Sequence, residues 1–185
     1  MKRFVLLFLL VVLSGCASSN AEKKETMSAT ETTVQAAPPK IKKTTAAYMT
    51  DQEKELKQIL RKTPFSLSRQ NNILTMTFSG SAIFAENSYH PTEKAIETLK
   101  KTAAILSAYK KTRISVIGYT DGMGKPATNQ LMSEKRAETV ADVLKKAAKI
   151  APVRFWTEGR GNDKTAENQS RHNGVQIILT PTFVQ

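Results

Sequence analysis

What most constrains this chain is a repeated change of period. Between residues 65 and 181, runs in which apolar and polar residues alternate give way to runs in which apolar residues return every three or four positions. Phe65-Ser66-Leu67-Ser68 and residues 73–78 alternate on either side of Asn71-Asn72, a pair suited to a tight turn, so this segment predicts a β-hairpin. Pro91 suits the first position of a helix, and Ile96, Leu99, Ala103 and Leu106 follow at helical spacing. Residues 113–118 read as a strand and 127–149 as a long amphipathic helix with Ala137, Val140, Ala141 and Leu144 inward. Residues 153–157 form another strand, 159–173 a loop rich in Gly and Asn with room for one helical turn, and 175–179 a last strand. A shorter helix at about 51–62 precedes the hairpin, entered through the capping box Thr50-Asp51-Gln52-Glu53 and ended by Pro64. Helices and strands that alternate in this way bury their apolar faces against one another, which makes the chain α+β, with helices on one face of a mixed sheet.

The first 47 residues take no part in that pattern. Lys2 and Arg3 precede an apolar run over residues 4–13, too short to span a bilayer and right for the core of a secretory signal. The run ends in Leu13-Ser14-Gly15-Cys16, which resembles the lipobox of bacterial lipoproteins. That resemblance implies cleavage before Cys16 and acylation of the cysteine, an anchor whose strength grows by about 0.8 kcal/mol per buried methylene. Ala17, in place of Asp, resembles the outer-membrane sorting pattern. Residues 17–47 are dominated by Ser, Thr, Ala, Lys and Glu, and bury too little to offset their ordering entropy. They read as a disordered linker with an r.m.s. reach of about 30 Å. The expected division is therefore signal peptide 1–15, lipidated cysteine and linker 16–47, leading helix 48–64 and main domain 65–185.

Chemistry concentrates where the central strand ends. Gly118-Tyr119-Thr120-Asp121-Gly122-Met123-Gly124 leads into a helix on which Asn129 and Arg136, seven residues apart, share a face. A carboxylate and a guanidinium on neighbouring elements suit a zwitterion: Asp121 accepts from its ammonium and Arg136 forks its carboxylate. The same two charges alternatively pair with each other or cap the helix.

Gly-Tyr-Thr-Asp, Gly124 and Asn129-x-x-Met132-Ser133-x-x-Arg136-Ala137-x-x-Val140, together with Phe84, the helix from Pro91 and Gly159-x-Gly161, resemble the OmpA-like C-terminal domain over residues 65–181. The resemblance implies a βαβαββ two-layer sandwich that binds peptidoglycan. It implies that Asp121 and Arg136 grip the zwitterionic end of diaminopimelate in the stem peptide, with Asn129, Thr120 and Asn87 around the same ligand. Three positions depart from the family pattern: Ala85 stands for an aspartate, Met132 for a leucine, and His172-Asn173-Gly174-Val175 for Asn-Arg-Arg-Val.

The remaining residues exclude more than they add. One cysteine allows no intrachain disulfide and no cysteine zinc site, and the two histidines, His90 and His172, read as surface loop residues. No metal and no cofactor is expected. Ser133 has no histidine at useful spacing and reads as a helix residue; with no acid pair or nucleophile–base pair in view, an enzyme is disfavoured. Trp156 reads as core or rim packing. The net charge of +12 points to an anionic partner or neighbouring surface, and an export signal argues against nucleic acid. The expected function is that of an outer-membrane lipoprotein with its domain in the periplasm, binding peptidoglycan and tethering the membrane to the wall. The alternative is a subunit that anchors a larger envelope machine, such as a type IV secretion system, through other envelope proteins.

Overall fold

The computed structural model describes residues 44–163 and 173–183. The expectations for residues 1–43, for a helical turn within 164–172, and for His172 lie outside the described residues.

The elements are α1 (Thr45–Leu60), β1 (Ser66–Gln70), β2 (Ile73–Ser79), α2 (Glu93–Ala108), β3 (Thr112–Tyr119), α3 (Pro126–Ala148), β4 (Phe155–Gly159) and β5 (Gly174–Pro181). Short 3-10 turns sit at Gly80–Ala82 and Pro152–Arg154. The strands form one mixed sheet in the order β1-β2-β5-β3-β4, antiparallel except for the β3–β4 pair. Period-two patterning sets its two faces. Leu74, Leu179 and Ile114 lie in one row across the sheet, Met76, Ile177 and Val116 in the next, and Phe78, Val175 and Gly118 in the third. All eight apolar side chains of these rows are buried, with Met49 and Leu56 of α1, Leu99 and Leu106 of α2, and Val140 and Leu144 of α3 in the same core. The fold is thus the expected two-layer α+β arrangement, with the helices covering one face of the sheet. Burying a side chain of this size contributes about 1.5–3 kcal/mol, so this shared core is what fixes the layers.

Several boundaries differ from the sequence reading, each for a local reason. α1 begins at Thr45 rather than near 51, because the Thr44 hydroxyl accepts from the Ala47 amide at 3.3 Å and caps the helix. Residues 45–47, read as linker, are its first turn. Thr50 then lies inside the helix and donates to Ala46 O, so the expected capping box does not form. Pro91 is not the first residue of α2. It bridges to Phe84, and Thr92 is the cap, accepting from Ala95 N at 3.3 Å. The strand expected at 153–157 begins two residues later, after the 3-10 turn. The hairpin turn is as expected, with Asn71 at φ 55, a left-handed conformation that Asn tolerates better than most residues. Trp156 is not core: it pairs with Ser115 on the sheet face away from the helices and is 51% exposed. His90 is exposed and stacks on Tyr89.

Candidate functional site

Gly118 is where the site begins. A Cβ at this position of β3 would lie 2.0 Å from the Ser133 carbonyl, so only glycine lets α3 rest against the strand here. Gly159, its register partner on β4, is crowded in the same way by Glu134 and Ser133. Ser133 is more than a helix residue. Its hydroxyl accepts from Gly161 N at 2.8 Å and donates to Gln130 O at 2.7 Å, which stitches the loop after β4 onto α3. The Thr120 amide in turn donates to Gly161 O at 2.8 Å. These contacts hold the first half of α3 beside the end of β3.

That end of the sheet carries a cavity of about 410 Å³, within the usual range for a small-ligand site. Asp121, Arg136, Asn129, Asn87 and Thr120 all line it, as do Phe84 and Asn173. Arg136 is only 5% exposed. Its Nε donates to Ser88 O at 3.0 Å, and its Nη1 donates to Tyr119 O at 3.1 Å and to the Asn173 side-chain oxygen at 2.5 Å. Its guanidinium carbon stands 4.9 Å from the centre of the Phe84 ring. Asn87, left-handed at φ 51, turns the chain just before Ser88 supplies that carbonyl. Burial pushes the Arg136 guanidinium below its ordinary value, and the nearby Asp121 carboxylate pushes it back up. Arginine keeps its charge through such shifts, so a buried cation lines the cavity with its Nη2 unengaged among the described residues.

Asp121 lies on the exposed side. One carboxylate oxygen accepts from Met123 N at 3.1 Å, and the other faces the Asn173 amide nitrogen at 3.5 Å. No ion pair joins Asp121 to Arg136; Asn173 stands between them. Nor does either residue cap α3, whose cap position is Lys125 with no side-chain bond. Both alternatives weighed from sequence are therefore unoccupied, and the two charges remain apart on one cavity wall. Thr120 is 3% exposed, and its hydroxyl has no hydrogen-bond partner. A buried, unpaired hydroxyl in a polar cavity is ready to meet a ligand. Asn129 is 8% exposed at the same wall. Asn173 was legible in sequence only as a departure from a pattern, and the Ser88 carbonyl has no sequence signal at all. What the arrangement offers is a fixed cation, a separate anion and neutral donors, with no nucleophile–base pair. Among the described residues, no cluster of His, Cys, Asp and Glu is suited to a metal.

The OmpA family matches residues 83–177, which include every residue named above as lining the cavity. A protein described as a probable lipoprotein, YiaD of Escherichia coli K12, is 31% identical over 72% of this chain; the match spans 64% of that relative's length. The outer-membrane lipoprotein YfiB of Pseudomonas aeruginosa is 33% identical over 55% of this chain and 63% of its own. The solved cell wall anchor of the T6SS from Pseudomonas aeruginosa has the same fold, with a TM-score of 0.58 and 23% identity over 70% of this chain and 99% of that one. No described helix is long and apolar enough to cross a membrane. The chain belongs to the OmpA family, whose domain binds peptidoglycan and is not an enzyme.

Proposed function

We propose that this chain is an outer-membrane lipoprotein that grips peptidoglycan non-covalently and tethers the membrane to the wall. The observation that carries this reading is the separation of Asp121 from Arg136 on one cavity wall, with Asn173 between them. A zwitterion fits such a pair better than a simple anion does. The carboxylate of a diaminopimelate terminus goes to Arg136 and its ammonium to Asp121, while Thr120, Asn129 and Asn87 meet the neighbouring polar atoms. Cys16, as the lipidated residue, and the segment behind it supply the membrane attachment.

Arg136 also holds the Ser88 and Tyr119 carbonyls, so its removal costs stability as well as binding. Asp121→Asn and Thr120→Val are the cleaner tests. Asp121 is exposed, and an exposed charge pair is worth about 0.2–1 kcal/mol, so Asp121→Asn lowers retention on purified sacculi several-fold with an unchanged melting curve. Equal retention of wild type and Asp121→Asn would show the assignment to be wrong. For the anchor, Cys16→Ser leaves the precursor uncut or moves the protein out of the membrane fraction; unchanged processing and fractionation would reject lipidation.

A further inference from the structure

The cation-rich connections of the domain gather at the end opposite the cavity. α2 runs into β3 through Lys110 and Lys111, Arg113 is the second residue of β3, and α3 finishes on Lys145, Lys146 and the left-handed Lys149. Arg154 ties these connections together. Its Nε donates to Thr112 O at 2.9 Å, its Nη1 to Leu106 O at 2.9 Å and its Nη2 to Tyr109 O at 2.8 Å. The cavity lies instead where β2 and β3 end and β5 begins.

Lysines in the last turn of a helix complement its dipole, which accounts for Lys145 and Lys146. It does not account for Lys110, Lys111 and Arg113, which lie outside any helix. Lys110, Lys111, Arg113, Lys146 and Lys149 are exposed, and none has a carboxylate partner among the described residues. The acidic groups nearby are engaged: Asp142 with Lys145 at 3.3 Å, and Glu55 with the Tyr109 hydroxyl at 2.7 Å. Apolar side chains are displayed among these cations. Val153 is 89% exposed in the turn that holds Arg154. Trp156, 51% exposed, pairs with Ser115, and Arg113 is the next residue of β3 on that face. The chain also enters the domain here: the Tyr48 hydroxyl in the first turn of α1 accepts from Lys111 N at 2.9 Å.

We propose that this end is a docking surface for a bilayer carrying anionic headgroups, with Trp156 and Val153 at the interface among the cations. Basic side chains are attracted to such a surface and tryptophan partitions to its boundary. The inference stands on the domain's own residues and holds with or without a lipid at Cys16.

Trp156 is the sole tryptophan, so its fluorescence reports on this end alone. The test adds the chain from residue 17 onward, which keeps the whole core from Met49 to Leu179, to vesicles with brominated acyl chains. One set contains phosphatidylethanolamine with phosphatidylglycerol, the other phosphatidylcholine alone. Trp156 is quenched by the anionic vesicles and not by the neutral ones. Combining Lys110→Gln, Lys111→Gln, Arg113→Gln and Lys149→Gln lowers vesicle affinity roughly tenfold or more, with the linker lysines untouched and the melting curve unchanged. No quenching by anionic vesicles at low salt, equal quenching by neutral vesicles, or undiminished quenching of the combined variant each overturns the proposal. So does displacement by inorganic phosphate at constant ionic strength, which marks a site for the free anion. Loss of sacculus retention in the combined variant, without lipid quenching, assigns the cations to the wall polymer instead.

Discussion

The side-chain oxygen of Asn173 accepts a hydrogen bond from Nη1 of Arg136 at 2.5 Å. Its amide nitrogen faces Asp121 at 3.5 Å. One neutral side chain therefore touches both charges of the cavity, at a position where the family pattern places an arginine.

That relationship makes Asn173→Asp informative. The new carboxylate pairs with Arg136 and takes the place of a ligand carboxylate, while adding a like charge beside Asp121. Sacculus retention is expected to fall by more than tenfold, although the fold keeps a partner for Arg136 and melts near the wild-type temperature. Pull-down with purified sacculi, read beside a thermal melt, checks both halves; wild-type retention would show that Arg136 does not receive the ligand.

Gly174 does not accept a side chain so easily. A Cβ there would lie 2.1 Å from the Phe78 carbonyl, in the register where Gly174 pairs with Ser79 and Tyr119. Gly174→Ala is expected to destabilise the protein by about 1–3 kcal/mol, the range of an overpacked interior that forces the backbone to shift. Denaturant unfolding measures this, and a change below about 0.5 kcal/mol would mean that β2 and β5 shift apart at little cost. Restoring the family's second arginine is consequently a larger change than a single substitution suggests.

Glu53 links stability to pH. Hydrogen bonds from Lys57 and then Arg69 hold its carboxyl below the ordinary glutamate value of 4.5, against the opposing effect of burial. A carboxyl with a lowered folded pKa is protonated more readily in the unfolded chain. Its contribution is thus complete above the ordinary value and is lost as the pH falls through the folded one. Glu53→Gln is expected to lower stability at neutral pH by about 1 kcal/mol and to flatten the acid side of the stability curve below about pH 4.5. An unaltered acid limb, measured by urea unfolding across pH, would remove Glu53 from the account.

The elements were legible in the sequence where patterning alone determines them. Leu74, Met76 and Phe78 alternate, and so do Ile177 and Leu179, because a sheet with one covered face leaves no other solution. Boundaries escaped where a single hydroxyl decides them: Thr44 and Thr92 cap helices, and nothing in composition ranks them above Thr50 or Pro91. For Trp156 the sequence left core and rim open, and the structure puts it at the rim, because an edge strand tolerates a large apolar residue on its open face. At the site, Asp121 and Arg136 stood out because charge at fixed spacing is visible in a linear string. The bridge through Asn173 was not visible, since it joins residues far apart in sequence through a side chain that takes both donor and acceptor roles.

The entry of the chain at one end of the sheet and the cavity at the other have a mechanical consequence. A pull between Thr44 and a ligand held at Asp121 and Arg136 runs roughly along the strands. β5 is bonded to β2 on one side and to β3 on the other over most of its length. Force in that direction loads those hydrogen bonds together, in shear, rather than opening them one after another from an edge. Tension along that line meets the packing of α1 on the core first, and the sheet behind it is loaded along its strands rather than opened from an edge.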